Sequence, residues 1–331
     1  MTRARIMVVI PCRNVEPHVR AVLAGIPSFV ERVVMVDDGS TDGTRAAIQG
    51  LGDPRVELVI HEKNRGIGAA MKSGYRRALE LGADILVKMD GDEQMDPGQL
   101  PALLTPILAG RADYTKGNRF RDREALESMP LARRIGNIGL SFWAKLAAGY
   151  WHGFDPTNGY TAIRADVLRE LVLESIADDY FFEISTLAEL NVIGAAVEDV
   201  RMPARYGAET SSLRIRRVLL SFPPRMISAM LRRVLKKYFW YDFSVVALFL
   251  LAGLPITGFG IAVGAHFWLK SLRTGVPTTA GQVMLAGLPV LVGVELLLQA
   301  LVADVNAPPA ARLRPVYEGL PAAGPGAMPG A

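Results

Sequence analysis

Residues 85–96 read ILVKMDGDEQMD, an apolar run that ends in a cluster of carboxylates. Alternate residues of an extended chain point to the same side, so Asp90, Asp92 and Gln94 are predicted to present oxygen atoms together. Such ligands suit Mg²⁺ or Mn²⁺, which often bind through one or two carboxylates and the phosphates of a substrate. The stretch therefore predicts a metal site for a nucleoside diphosphate. The alternative is an acidic turn that is only solvated.

The composition divides the 331-residue chain into a charged part and an apolar part. Charged residues are spread through the first two thirds, and long apolar runs follow Asp242. The single cysteine, Cys12, allows no internal disulfide and indicates that the main domain faces a reducing compartment. The first apolar run is too short for a signal peptide and is predicted to be a strand.

Four short apolar runs alternate with helical patterns, which predicts an α/β fold with a mainly parallel sheet. Asp37 and Asp38 follow the second run, as Asp90 follows the fourth, and open α/β sheets bind nucleotides at the carboxyl ends of their strands. After the third run, Gly66 and Gly68 would let the backbone approach an anion at a helix N-terminus. The runs cover residues 6–11, 33–36, 56–60 and 85–89.

Four segments in this order and spacing resemble glycosyltransferase family 2. They are VVIPCRN, VVMVDDGSTDGT, EKNRGIGAAMKSG and MDGDEQMDP. The resemblance implies a GT-A fold that binds a GDP- or UDP-sugar, with Mg²⁺ or Mn²⁺ held by Asp90, Asp92 and Gln94. Asp92 is expected to be catalytic through this cation. The expected donor-binding residues are Pro11, Arg13, Asn14, Asp37, Asp38, Gly66 and Lys72. The family's usual Pro-x-Tyr-Asn-Glu reads Pro-Cys-Arg-Asn-Val here, which leaves the bound base open.

Two later segments, TKGNRF and PLARRIGN, resemble the polyprenyl-phosphate glycosyltransferases of that family. The resemblance implies that Arg119, Arg133 and Asn137 grip a lipid phosphate, with Arg134 beside them. Arginine forks match phosphate oxygens in pairs, so Arg119 and Arg133 are expected to aim the acceptor at the sugar. A solvated helix start is the alternative for Arg133 and Arg134.

The segments DPTNGY and DYFFE also match patterns of these enzymes, with Asn158 in place of the usual serine. The resemblance implies that Asp155 and Glu183 flank the sugar as catalytic residues. The three aromatic rings at positions 180–182 are expected to be packing.

Residues 211–241 contain eight Arg or Lys residues and no acid. Apolar side chains from Met226 to Tyr238 would share one helix face, and the other face would carry Arg232, Arg233, Lys236 and Lys237. A basic amphipathic helix of this kind is typical of a membrane interface with anionic lipid. The apolar face makes a nucleic-acid partner the weaker interpretation.

Residues 243–269 and 283–303 are each long and apolar enough to cross a hydrocarbon core of ~30 Å, which predicts a transmembrane hairpin. Glu295 and Gln299 lie one turn apart in the second span, and we expect them to pair helices or subunits in a homo-oligomer. Basic residues are richer before the first span than in the loop, so both chain ends are expected on the cytoplasmic face of the inner membrane.

The predicted domains are residues 1–210 (GT-A catalytic domain), 211–242 (amphipathic segment), 243–303 (two transmembrane helices) and 304–331 (disordered Pro/Ala/Gly tail). The predicted function is inverting sugar transfer from a nucleotide sugar to a polyprenyl phosphate for cell-envelope glycans. One alternative is transfer to a sugar hydroxyl of a surface polysaccharide or glycolipid. A non-catalytic membrane scaffold is the other, and the intact Asp90 and Asp92 argue against it.

Overall fold

The computed structural model describes residues 3–118, 131–151, 155, 158–202, 215–307, 309–310 and 312–320, with side chains for all of these except residues 131–138 and 215–221. The chain divides into two compact units. The first unit comprises Met1–Met230 and Pro309–Ala331, and the second unit is Leu231–Pro308.

Seven strands of the described chain form one sheet in the order β3-β2-β1-β4-β6-β5-β7. The strands β1 to β4 all run parallel, whereas β6 runs antiparallel to both of its neighbours, β4 and β5. The outer strand β7 is parallel to β5. The predicted mainly parallel sheet is confirmed, and β6 is its antiparallel member. The strands are β1 (Ile6–Cys12), β2 (Arg32–Asp38), β3 (Val56–His61), β4 (Ile85–Lys88), β5 (Tyr114–Asn118), β6 (Thr161–Arg164) and β7 (Val197–Arg201).

The helices of the first unit connect these strands. They are α1 (Val19–Gly25), α2 (Thr44–Gln49), α3 (Ile67–Glu80), α4 (Leu100–Leu108), α5 (Leu131–Ala148), α6 (Ala165–Glu170) and α7 (Phe182–Val192). Helix α8 (Ile215–Leu235) continues as a π-helical turn, Lys236–Tyr241, and is followed by α9 (Val245–Thr274) and α10 (Ala280–Val305).

Both faces of the sheet are buried, as the continuous apolar runs predict. In β1, Met7 and Val9 belong to the hydrophobic cluster that includes Met71 of α3. The alternate residues Val8 and Ile10 belong to a second cluster on the opposite face, with residues of α1 and α4. The sheet is thus a rigid middle layer, and its strand ends are fixed in position.

The segment after α10 differs from the disordered tail that its composition predicts. Arg312 donates to Glu170 and to the carbonyl of Ile193, and the backbone N–H of Tyr317 donates to the carbonyl of Leu108. The ring of Tyr317 packs against the hydrophobic cluster that contains β1. Residues 309–310 and 312–320 are therefore a packed part of the first unit, because Arg312 and Tyr317 make specific contacts with distant elements of it.

In the second unit, α9 and α10 are each long and apolar enough to cross a membrane. The two helices pack closely at Gly253. A Cβ at this position would lie only 3.1 Å from the carbonyl oxygen of Gly293. The prediction that Arg233 lies on the exposed basic face of the amphipathic segment is wrong. Its side chain is buried and forms two hydrogen bonds of 2.7 and 2.8 Å with Asp304, which also accepts one from Tyr238.

Candidate functional site

The carboxyl ends of β1, β2 and β4 meet at one edge of the sheet. Cys12 at the end of β1 is paired in register with Asp37 of β2, and Val9 is paired with Lys88, the last residue of β4. Asp90 follows two residues later. The sheet therefore brings the acidic segments of β2 and β4 to the edge where parallel α/β sheets bind nucleotides, as the sequence predicts.

Asp37 is fully buried, and both of its oxygens are bound within the protein. Oδ1 accepts a hydrogen bond from the backbone N–H of Ser40 at 3.0 Å, and Oδ2 accepts one from Nε of Arg45 at 2.8 Å. Burial raises the pKa of Asp37, but these hydrogen bonds outweigh it and hold the pKa below its ordinary value. Asp37 is thus a fixed carboxylate that shapes the loop after β2.

Asp38 organises the turn between β3 and α3. Its oxygens accept hydrogen bonds from Nδ1 of His61 (2.7 Å) and from the backbone N–H groups of Arg65 and Gly66 (both 2.9 Å). His61 is buried and also contacts Ser73 at 2.9 Å. These contacts give Asp38 a scaffold role, and the donor contact that the resemblance implies stays a prediction. No sequence pattern singles out His61, since its partner Asp38 lies 23 residues away.

Gly66 and Gly68 are needed because another loop approaches them. A Cβ at Gly66 would overlap the carbonyl oxygen of Asp178, and a Cβ at Gly68 would overlap that of Ala177. Gly66 also has a φ of +97°, which a residue with a side chain rarely adopts. Residues 177–178 therefore pack against both glycines, and the approach of a ligand to Gly66 stays a prediction.

Lys72 holds the same loop in place. Its ammonium group donates to the carbonyl of Ile176 at 3.0 Å and forms an ion pair with Asp178 at 2.5 Å. The side chain of Lys72 is buried against this loop, and its predicted contact with substrate stays a prediction. The resemblance implied that Lys72 lies near the nucleotide, and only the tertiary structure shows the loop that packs against it.

The remaining predicted donor-binding residues lie at the end of β1 and in the loop that follows it. Pro11 is half-buried, whereas Arg13 and Asn14 are exposed. Asn14 has a φ of 53°, and its side-chain oxygen accepts a hydrogen bond from the backbone N–H of Thr41 at 2.9 Å. Asn14 therefore ties the β1 loop to the β2 loop at the sheet edge.

Asp90 contacts a buried lysine, Lys88, that no sequence pattern singles out. Nζ of Lys88 is 2.7 Å from Oδ1 of Asp90 and 3.4 Å from Oε1 of Glu183, in the first turn of α7. Burial by itself would lower the pKa of Lys88, but the charges of Asp90 and Glu183 outweigh it and raise the pKa. Lys88 therefore stays a cation and links two of the predicted site residues.

Asp92 and Gln94 lie on a loop, and the extended geometry predicted for residues 90–94 is wrong. Strand β4 ends at Lys88, and Glu93 has a φ of 63°. The backbone N–H of Gln94 donates to Oδ1 of Asp92 at 3.1 Å, which closes a tight turn. The chain leaves the extended conformation here because this turn replaces strand pairing.

The side-chain ligands in this loop suit a cation that is bound partly by the protein and partly by the substrate. Among the residues that the structure describes, no three His, Cys, Asp or Glu side chains come together as a metal site. Asp90 and Asp92 supply carboxylates, and Mg²⁺ usually binds through one or two carboxylates with water and substrate phosphates. The residues therefore suit a cation that arrives with a diphosphate.

A second buried lysine lies beside Asp155. Lys116 of β5 donates to the carbonyl of Asn158, and burial lowers the pKa of Lys116 to about 8, against the opposing charges of Glu183 and Asp155. Asp155 is fully buried. Its charge acts on Lys116, and its place beside the sugar stays a prediction.

Of the predicted acceptor residues, Arg119 lies outside the described residues. Arg133, Arg134 and Asn137 lie in the first two turns of α5, and their side chains also lie outside the description. The aromatic prediction holds for Phe181 and Phe182, which are buried, whereas Tyr180 is exposed.

The model of the family described as "Glycosyl transferase family 2" matches residues 7–172. An undecaprenyl-phosphate mannosyltransferase of Micrococcus luteus is 31% identical over 201 residues, 59% of this chain and 82% of that protein. A UDP-N-acetylglucosamine–dolichyl-phosphate N-acetylglucosaminyltransferase of Methanococcus voltae is 31% identical over 181 residues, 50% of this chain and 72% of that protein. A polyprenol monophosphomannose synthase of Mycolicibacterium smegmatis is 31% identical over 186 residues, 54% of this chain and 69% of that protein.

Solved structures show the same GT-A fold. Glucosyl-3-phosphoglycerate synthase from Mycobacterium tuberculosis in complex with UDP has a TM-score of 0.52 at 22% identity, covering 70% of this chain and 80% of that chain. Its complex with Mn²⁺, UDP-glucose and phosphoglyceric acid has a TM-score of 0.51 at 23% identity, covering 70% and 79%. Because the family model spans half of the sequence and relatives are matched over more than two thirds of their length, this chain belongs to glycosyltransferase family 2.

Proposed function

We propose that this glycosyltransferase moves a sugar from a UDP- or GDP-sugar to a polyprenyl phosphate, with inversion at the anomeric carbon. The proposal rests on two features that occur in the same chain. Acidic residues lie at the carboxyl edge of a GT-A sheet, and two helices are apolar enough to cross a membrane. The first feature suits a nucleotide sugar, and the second suits a lipid acceptor. The three relatives are named for sugars on dolichyl, undecaprenyl or polyprenol phosphate.

Asp90 and Asp92 would hold Mg²⁺ or Mn²⁺ at the donor diphosphate, with Gln94 beside them. The bound cation supplies positive charge that stabilises the departing diphosphate. Within the protein, Lys88 fixes the orientation of Asp90 through a contact of 2.7 Å. Asp37 keeps the β2 loop in the shape that receives the nucleoside, since both of its oxygens are bound within the protein.

The acceptor phosphate would be gripped by Arg119, Arg133, Arg134 and Asn137. Guanidinium forks bind phosphate oxygens in pairs and would aim the attacking oxygen at the anomeric carbon. A phosphate monoester is largely anionic near pH 7, so the transfer needs no strong general base.

The carboxylates near the site favour this acceptor over a sugar hydroxyl. A hydroxyl needs a proton acceptor, yet Glu183 is paired with Lys88, Asp178 with Lys72, and Asp179 with Arg225. Each pairing favours a positioning role over removal of a proton. Transfer to a hydroxyl of a surface polysaccharide or glycolipid is therefore the second candidate function.

We also propose that α9 and α10 anchor the enzyme in the inner membrane with the catalytic unit on the cytoplasmic face. The basic segment before α9 supports this orientation, because cytoplasmic flanks carry the excess of Lys and Arg. The same segment would contact anionic lipid. A homo-oligomer could form through α10, where exposed Glu295 accepts a hydrogen bond from Gln299 at 2.8 Å.

The test is transfer from radiolabelled UDP- and GDP-sugars to undecaprenyl phosphate by the purified enzyme in detergent with Mg²⁺ or Mn²⁺, followed by lipid extraction. Label in a phosphate-linked lipid is the expected result. Label only in polymer or in a phosphate-free glycolipid would assign the hydroxyl-acceptor function instead.

A further inference from the structure

Lys88 is a buried cation under the predicted metal loop. Its side chain is 1% exposed, and its ammonium group lies 2.7 Å from Oδ1 of Asp90. The side chain of Asp90 is 28% exposed, so this carboxylate is held by the protein at Oδ1 and is partly accessible to a ligand. One oxygen of Asp90 is thus already taken by the protein.

The segment that leads into β6 closes the space around this ammonium group. A Cβ at Gly159 would collide with Nζ of Lys88 and would lie 3.2 Å from Oδ2 of Asp90. Thr161 of β6 is paired in register with Lys88. The segment before β6 therefore passes directly over the lysine, and a glycine at position 159 provides the room that the ammonium group needs.

A second carboxylate holds Lys88 from another element. Oε1 of Glu183 lies 3.4 Å from Nζ, and Glu183 belongs to α7, which is packed in the core. The ammonium group is therefore confined by Asp90, Glu183 and the backbone at Gly159 together. It has little freedom to release Oδ1 of Asp90.

We propose that Lys88 is a positioning residue that occupies Oδ1 of Asp90, so that Asp90 meets a divalent cation through Oδ2 only. This inference rests on the metal site of the proposed function. Mg²⁺ and Mn²⁺ form small octahedral shells that suit one oxygen from each carboxylate, whereas Ca²⁺ readily takes both oxygens of a carboxylate. Lys88 thereby sets the preference of the site for the smaller cations.

The experiment compares the Kd values of Mn²⁺ and Ca²⁺ in the full-length protein in detergent. Free Mn²⁺ is measured by electron paramagnetic resonance, and Ca²⁺ is measured by its displacement of bound Mn²⁺, with the metals alone and with UDP or GDP added. The ratio of the two Kd values is the readout. Both ions carry the same charge, so removal of a lysine charge affects them alike and only a change in ligand geometry alters the ratio.

In Lys88→Met, the ratio of Ca²⁺ affinity to Mn²⁺ affinity should rise about tenfold, within the range that supporting residues of metal sites show. The double variant Lys88→Met/Glu183→Gln keeps the net charge of the site and should show the same change, so the test survives if the single variant fails to fold. An unchanged ratio in a folded variant overturns the role of Lys88 but leaves the metal site intact. Absence of Mn²⁺ binding to the wild-type protein under every condition overturns both.

Arg164→Met is the matched control. Arg164 is also a buried cation of the sheet, 2% exposed, and is paired in register with Ile85, three residues before Lys88 on β4. It contacts Asp113 and Asp166 at the opposite end of these strands. Its replacement should lower stability without altering the ratio of the two affinities. A shift as large as that of Lys88→Met would show that the ratio reports a general loosening of the sheet, and would overturn the proposal.

Discussion

Arg314 holds Asp113 through two hydrogen bonds of 2.8 and 2.9 Å, although 201 positions separate the two residues in sequence. Asp113 is fully buried at the start of β5, and it also accepts a hydrogen bond from the backbone N–H of Ala196. The segment that follows the second apolar helix, α10, therefore supplies a counter-ion to a buried carboxylate of the first unit.

Replacement of Arg314 by Ala should destabilise the protein by about 3 kcal/mol, because removal of one partner leaves a buried carboxylate without its main counter-ion. This value is at the low end of the usual cost of breaking a buried ion pair, since Arg164 remains 3.8 Å from Asp113. Urea unfolding followed by tryptophan fluorescence measures the change. Arg111→Ala, which breaks an exposed pair with Glu198, is the control and should cost less than about 1 kcal/mol.

Truncation after residue 308 should destabilise the protein at least as much as Arg314→Ala. The truncation also removes the contacts of Arg312 with Glu170 and of Tyr317 with Leu108. A truncated protein as stable as the full-length chain would show that residues 309–320 contribute nothing to the catalytic unit.

Asp92→Asn should lower turnover by about two orders of magnitude, since the charge that stabilises the departing diphosphate is held less well. Initial rates with saturating donor and acceptor measure this. Asp53→Asn, on the loop before β3 and paired with Arg55, is the control and should retain activity. Full activity of the wild-type enzyme in excess EDTA would contradict the metal-dependent mechanism.

Arg133→Ala should raise the KM for polyprenyl phosphate about tenfold or more, because a charge-assisted contact with the phosphate is lost. The KM for the nucleotide sugar should change little. Arg169→Ala, an exposed residue of α6, is the control. The transfer should also persist down to pH ~6, near the second pKa of a phosphate monoester. A rise in the donor KM alone would place Arg133 at the nucleotide instead.

Arg225→Ala should reduce stability at pH 7 but less so in acid. Arg225 forms two hydrogen bonds with Asp179, of 2.7 and 2.9 Å. These bonds lower the pKa of Asp179, and burial opposes them. A lowered pKa in the folded state adds stability above the unfolded pKa of ~3.9, and that stability is lost as the pH falls through the lowered value.

The measurement is the melting temperature of the wild-type protein and of Arg225→Ala from pH 7 to pH 3. The difference between them should shrink below pH ~4. It should not vanish, since Arg225 also lies 4.6 Å from the ring centroid of Phe181, a contact that does not titrate. A difference that stays constant over the whole range would contradict the ion-pair explanation, and Asp179→Asn provides the second test.

The sequence by itself determined the parallel part of the fold and the edge at which the site lies. Continuous apolar runs must be buried on both faces, and the carboxylates that end them, such as Asp37 and Asp90, must then meet at one edge of the sheet. The length and apolarity of α9 and α10 are also properties of composition alone.

Only the tertiary structure decided how the polar side chains are used. Lys88, His61 and Lys72 carry no periodic signal, because their partners lie on other elements: Glu183, Asp38 and Asp178. Periodicity reports which face of an element is buried, and it does not report which distant charge a buried cation meets. The same limit explains why a Pro/Ala/Gly-rich tail was predicted to be disordered: Arg314 orders it by reaching Asp113, a partner that local composition cannot reveal.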